Sequence, residues 1–331
     1  MRFSPRAMGL LAALVTVTLW TSFIVIARAS AQRSLTPLDI TLLRIVGASL
    51  VLVPWGWWLV HRRRVQMGAS APASSLAGIS PLPLSTTALL GLFGGLLYAV
   101  LAYAGFFHAP ATHAAVLMPG SLPLWTALLA VLVLHDRITP LRALGLALIV
   151  AGDLLVGGRS LLAGFAGGDV WKGDVLFMLA AASWAAYSVQ ARRLAVDAVQ
   201  ATIAITAFAL LVYAPVYGAL VALGMVTSHL GHAPWSEILF QLVFQGGGSV
   251  VISGIAFTRM IQHYGPVRST MITALVPGLS AIGAVLLLDE PMHWNLGAGL
   301  ALVTTGILLG VLRKSPAPAS SLPTASGKSA A

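Results

Sequence analysis

GLALIVAG occupies Gly145–Gly152, and GLALVTTG occupies Gly299–Gly306. Five of the eight positions are identical, and the octets lie 154 residues apart. Gly, Ala and Leu are abundant in this chain, so a short apolar match is cheap by itself. It gains weight because the same offset also aligns rarer residues: Gly94 with Gly248, Pro123 with Pro277, and Asp136 with Glu290. Nearer the start of each half an offset of 164 pairs Gly9 with Gly173, Trp20 with Trp184, Phe23 with Tyr187, and Arg28 with Arg192. A longer loop in the first half absorbs the difference. The octet is a register mark for a duplicated unit.

Composition says what kind of unit it is. The 331 residues are 58% hydrophobic and 8% charged, with a mean hydropathy of +0.91. Soluble domains carry about 25% charged residues, and a bilayer-spanning helix needs about 20 mostly apolar ones. Ten such runs are expected, at 8–28, 38–60, 84–107, 111–134, 141–158, 173–191, 200–225, 237–258, 266–288 and 293–313. They are continuously apolar, which excludes barrel strands that alternate every second residue. The first run follows Arg2 and Arg6 and ends in ARASA, like a signal peptide, but it exceeds the usual apolar core of one. Its recurrence later in the chain marks it as a retained helix.

The expected fold is therefore all-α and integral to the membrane, with helices 1–5 in residues 1–158, helices 6–10 in 159–314, and a flexible cytoplasmic tail at 315–331. The Ala/Ser/Gly/Pro-rich stretch from Val65 to Pro83 also reads as a flexible connector with no packing role. Five is an odd number, so the second copy enters the membrane from the opposite side. Such inverted repeats build secondary transporters, with the substrate site at the repeat interface. Loop charges set the orientation. With the N-terminus inside, cytoplasmic segments carry fourteen Lys and Arg residues and the other side four, so both termini are expected in the cytoplasm. The net charge of +10 sits in loop clusters such as Arg62–Arg64, and no basic stripe alternates with aromatics, so nucleic acid is not an expected partner.

The residues then show a family likeness. Trp20-Thr21-Ser22-Phe23, Arg44 with its small-residue run, SWAAYSVQARRL in helix six, and FQGGGSVV through LVPGLSAIGAVLLLDEP resemble the EamA-like ten-helix members of the drug/metabolite transporter superfamily. Thr21 replaces a usual glycine, and His135-Asp136-Arg137 stands where Gly-Glu-Arg is more usual. The resemblance implies ten helices around a central cavity and export of amino acids, metabolites or drugs. Substrate identity and direction do not carry over.

Arg44 is the most informative charge, roughly 9 Å into helix two. There it either lines a polar cavity and draws in an anionic group, or snorkels and pairs structurally. Asp153, just after the first octet, lies at similar depth, about 18 Å along helix five; an ion pair with Arg44 is one expectation, and its counterpart is Ile307. Trp20 and Trp184 lie mid-span, and Tyr187 is one turn beyond Trp184. With Ser22, Tyr98, Tyr103 and Gln245, they are cavity candidates set against plain core packing. His113 reads as a proton carrier or as an interfacial residue. Asp136, Asp289 and Glu290 at helix ends suggest capping or solvated loops. Pro123 and Pro277 are hinge candidates, with a static kink as the alternative.

No HExxH, GxSxG or P-loop appears, so an enzyme is not expected. Without Cys there are no thiolate metal sites, and no metal or cofactor is expected. The expected function is a secondary transporter of small metabolites in the inner membrane, most simply an exporter of amino acids or related organic compounds. A channel or non-transporting scaffold is the alternative. Expected partners are the bilayer, a small-molecule substrate, and either a proton or an exchanged counter-substrate, in a monomer or homodimer.

Overall fold

The computed structural model describes residues 5–68, 72–135, 138–257, 259–260 and 272–311. These form α1 (Pro5–Ala31) and α2 (Pro37–Met67), then α3 (Leu84–His108) and α4 (Ala111–Leu134). They continue as α5 (Pro140–Gly164), α6 (Val170–Arg193) and α7 (Ala198–Ala222), α8 (Trp235–Phe257), α9 (Leu275–Leu288) and α10 (Trp294–Val311). Among the described residues there is no β-strand, only a bridge between Ser75 and Ser80.

Seven of these helices are long and apolar enough to cross a membrane: α1 to α5, α7 and α8. Lys172, Asp174, Gln190, Arg192 and Arg193 lower the hydropathy of α6, while α9 and α10 are shorter apolar helices within the described residues. Several helices outrun their expected spans. α2 continues through Arg62, Arg63 and Arg64 to Met67, and α5 continues past Arg159 to Gly164. The tail at 315–331, Asp136, and the start of the expected ninth span lie outside the described residues.

The two octets pack on each other. A Cβ at Gly145 would stand 2.6 Å from the Gly306 carbonyl, and one at Gly152 would stand 2.7 Å from that of Gly299. The pairing runs antiparallel, first residue to last, so α5 and α10 cross with backbones in contact. Seven-residue spacing returns each Gly to one helix face after two turns. Small residues there permit the close approach that drives helix association in lipid.

Other contacts repeat in the same manner. α1 packs on α9 and α6 on α4, and the sequence offsets make these corresponding pairs; so are α2 on α8 and α7 on α3. At the α2–α8 crossing, a Cβ at Gly246 would lie 2.5 Å from the Ala48 amide and from the Gly47 backbone. Of the three consecutive glycines, Gly246 is the one that this close packing requires.

The segment expected to be a loose connector is partly docked. Leu82 joins a buried cluster with Leu90, Ala201 and Ala204. The Ser75 hydroxyl donates to the Leu82 carbonyl at 2.8 Å, and Ser80 and Thr87 share a 2.7 Å hydrogen bond. A Cβ on Gly56 of α2 would collide with the Ile79 carbonyl. A few anchors suffice to fix a stretch whose average composition suggests none.

Candidate functional site

Where α4 and α9 carry their prolines, each is interrupted. Residues 118–121 form a turn before Leu122 and Pro123 restart a helix, and Ala274 does the same before Leu275–Leu288, which contains Pro277. Proline removes a backbone donor and resists a preceding helical turn. Both hinge candidates therefore sit at real breaks in corresponding helices. Two further irregularities correspond: Leu92–Leu97 of α3 and Leu242–Ile252 of α8 wind as π-helix. The wider winding rotates nearby side chains off the regular face, and such segments recur at functional sites.

These irregular segments border a central cavity of about 470 Å³, within the roughly 300–1,000 Å³ range of small-molecule pockets. Its wall is mainly apolar and aromatic. Trp184 contributes to an aromatic cluster with Tyr98 at 4.8 Å and Tyr187 at 5.0 Å between centroids; Trp20 meets Phe257 at 5.0 Å. Tyr187 fits against α3 because Gly94 lacks a Cβ, which would stand 2.7 Å from its ring.

Arg44 reaches the deep end of this cavity. Its Nη1 donates to Ser249 Oγ at 3.0 Å and, more weakly, to Tyr103 OH at 3.5 Å. Its guanidinium carbon lies 5.4 Å from the Phe23 ring centroid, within cation–π range. Among the described residues no carboxylate comes within ion-pair distance. Arg44 is buried but open to the cavity through that wall, so its charge has neutral partners only.

The cavity is not central along the helices. Its lining stops at Ile24 on α1, Arg44 on α2, Ala99 on α3 and Ala209 on α7, short of the ends at Ala31, Pro37, His108 and Ala222. In the other direction it reaches Ala191 and Ala198, where α6 and α7 meet beside Arg192 and Arg193. We call this the basic end.

The opposite end is sealed by buried polar groups. Asp39 accepts from Thr36 N at 2.9 Å, Thr36 Oγ1 at 2.8 Å, Ser228 Oγ at 3.0 Å, His229 N at 3.0 Å and the Tyr217 hydroxyl. It caps α2 and ties it to α7 and the loop that follows. Glu290 accepts the Ala111 and Thr112 amides at 2.8 and 2.9 Å and pairs with Arg28 at 3.5 Å, while Arg28 Nη1 donates to the Phe106 carbonyl at 2.6 Å. A carboxylate at a helix N-terminus satisfies orphan donors and meets the positive dipole. His113 Nδ1 lies 2.9 Å from Asp174 Oδ1, and Ser160 donates to the other oxygen of Asp174. Each cluster joins a residue from before position 159 to one from after it.

The structure thus gathers Trp20, Arg44, Tyr98, Trp184 and Tyr187 on one cavity wall, with Tyr103 behind Arg44. Ser22 and Gln245 are not on that wall. Gln245 is fully buried, and among the described residues neither end of its amide has a hydrogen-bond partner. Asp153 is buried with no partner for either oxygen among the described residues, and the expected ion pair with Arg44 is absent. Asp153 stands apart from Arg44 because no residue of α5 lines the cavity; α5 packs on α10 instead. His113 bonds to Asp174, away from the cavity lining. Pro123 and Pro277 are flanked by lining residues Leu122 and Val276.

Sequence reasoning missed Asp39 and Asp174. Asp39 was findable: Thr36-Pro37-Leu38-Asp39 carries the Thr-x-x-acid pattern of a capping box with Pro at the first helical position, and both reciprocal bonds form. Nothing local marks Asp174, whose partners come from α4 and α5.

Apolar helices long enough to cross a membrane, packed around a cavity that holds one buried cation, define a class of polytopic membrane protein, and comparison with known proteins narrows it. The chain belongs to the EamA-like transporter family, matched over residues 7–158 and again over 171–312, and it is a membrane transporter. It is 26% identical over 235 residues, 68% of this chain and 72% of the other, to a protein described as an uncharacterized transporter, YyaM, of Bacillus subtilis (strain 168). A solved crystal structure of a protein 22% identical to it superposes with a TM-score of 0.54, covering 92% of this chain and 97% of that one. That likeness concerns the fold alone.

Proposed function

We propose that the chain crosses the inner membrane ten times as two inverted five-helix repeats, with both termini cytoplasmic, and carries small organic molecules with an anionic group by alternating access. It is a transporter and not an enzyme. The observation that carries this reading is Arg44, an uncompensated charge at the blind end of a cavity open toward the basic end. Antiparallel packing of the octets, the doubled family match and the corresponding proline breaks support the inverted repeat. Under the positive-inside bias the basic end is cytoplasmic, so the cavity faces inward and the Asp39, Asp174 and Glu290 clusters close the outside. Export of carboxylate-bearing metabolites fits this arrangement, with bending at the breaks beside Pro123 and Pro277 exchanging the two openings.

Counterflow in proteoliposomes tests the anchor. Arg44→Gln is expected to lower saturable exchange of carboxylate substrates by roughly 10–100-fold, the worth of a buried charge-assisted hydrogen bond. Equal loss for carboxylates and for organic cations would remove Arg44 from substrate binding.

The outer closure is tested through Glu290. The chain has no Cys, so Thr112→Cys, at a buried position beside the Glu290 carboxylate, is a single reporter. Adding Glu290→Gln places an amide N–H against backbone donors. Labelling of the reporter by a membrane-impermeant maleimide is expected to accelerate by about tenfold, as one lost charged bond predicts. An unchanged rate would show that Glu290 does not hold this end shut.

A further inference from the structure

The cavity carries one sign of charge. Among the described residues Arg44 is its only charged lining side chain; no Asp, Glu, Lys or His lines it. Three of its lining hydroxyl groups are committed as donors to their own helices. Ser188 donates to the Trp184 carbonyl at 2.8 Å, Thr202 to that of Ala198 at 2.7 Å, and Ser253 to that of Ser249 at 2.7 Å. What a ligand meets is a guanidinium, neutral oxygens and aromatic faces.

A carboxylate entering this space exchanges water for Arg44. An ammonium group on the same molecule has no equivalent partner, and a buried charge without one is costly. Aromatic faces attract cations, yet Phe23, the ring beside the anchor, already faces Arg44. A second cation held nearby is also repelled by Arg44 through a low-dielectric interior. An α-amino acid places its ammonium next to its carboxylate, where that repulsion is greatest.

Building on the reading of this cavity as the transport site, we propose that it selects organic monoanions over zwitterionic amino acids and organic cations. The matching substrate has one carboxylate on a compact aromatic or branched apolar body. The carboxylate sits on Arg44 and Ser249, and the body lies among Trp20, Tyr98, Trp184 and Tyr187.

A series matched in its ring but not its charge tests this with full-length protein in nanodiscs: 3-phenylpropionate, phenylalanine and phenethylamine, by calorimetric titration. The anion is expected to bind at least about tenfold more tightly than the zwitterion, as an unpaired buried charge predicts, and the cation most weakly. Arg44→Gln should remove the preference, whereas Ser249→Ala should weaken binding without changing its order. Should an Arg44 variant fail to fold, the wild-type ranking decides alone. Phenylalanine binding as tightly as 3-phenylpropionate, or no binding of the anion by folded protein, would overturn the selectivity. Saturable counterflow of phenylalanine in preference to the anion would leave the transporter standing and this inference lost. Absence of saturable exchange with every solute class would sink the transporter reading itself.

Discussion

Gly152→Leu is expected to abolish recovery of folded, monodisperse protein. A Cβ at this position would stand 2.7 Å from the Gly299 carbonyl oxygen and 2.7 Å from Val303 Cγ2, well inside ordinary contact. The crossing is as tight seen from α10, where a Cβ on Gly299 would lie 2.7 Å from Val156 Cγ2 and 2.9 Å from the Gly152 carbonyl oxygen. Overpacking by a methylene or two costs about 1–3 kcal/mol where side chains can adjust. Here four carbons meet main chain, against a total stability of about 5–15 kcal/mol for typical proteins. Gly158→Leu on the same helix is the control, since nothing lies within 4 Å of a Cβ there. Size-exclusion profile and Tm measure both. A Gly152→Leu protein melting within a few degrees of the parent would show that α5 and α10 do not meet at the octets.

Asp39→Ala is expected to cost about 3–5 kcal/mol, the range for stripping one member from a buried charged network. The residue is fully buried and accepts from five donors. Hydroxyls of Thr36, Ser228 and Tyr217 can turn toward other acceptors, but the backbone amides of Thr36 and His229 cannot. Asp39→Asn should fall between, keeping one acceptor while aiming an N–H at a donor. Thermal unfolding gives the cost, and hydrogen exchange at the first turn of α2 locates it. A Tm shift below about 2 °C for the alanine variant would show that water replaces the carboxylate, against the buried geometry.

Much of this fold is legible because the bilayer imposes a length on each helix and a sign on each loop. The octets, prolines and tryptophans were visible as a repeat because each is rare or regularly spaced at its offset. Trp184 and Tyr187 could be placed on one face from their i, i+3 spacing and mid-span depth. Ser22 and Gln245 show where such reasoning ends. Depth is a property of sequence position, whereas rotation about the helix axis depends on which neighbours it packs against. In α8 the i→i+5 winding changes even the local face. The Arg44–Asp153 pair failed because depth does not say which helices surround the cavity, and α5 is not among those that line it. The polar seal was least legible, since Glu290 joins Arg28 and Ala111 across more than half the chain, and no local spacing reports a partner that distant.

The octet contact has a consequence of another kind. An interface whose two sides carry the same residues in antiparallel order is isologous, the arrangement a two-fold axis imposes between identical partners. A half-length polypeptide bearing a single GLAL…G stretch would supply both sides of it once two copies lay in the bilayer in opposite senses. Given the inverted repeat proposed above, the α5–α10 seam has the geometry of an interface that two such half-length copies would form. The halves differ just beyond the octet, where the first has Asp153 and the second Ile307. Arg44 is likewise present on one side only, with Phe208 at the matching offset of 164. The fused chain could therefore build a cavity with one charged wall, which two identical subunits related by symmetry cannot make.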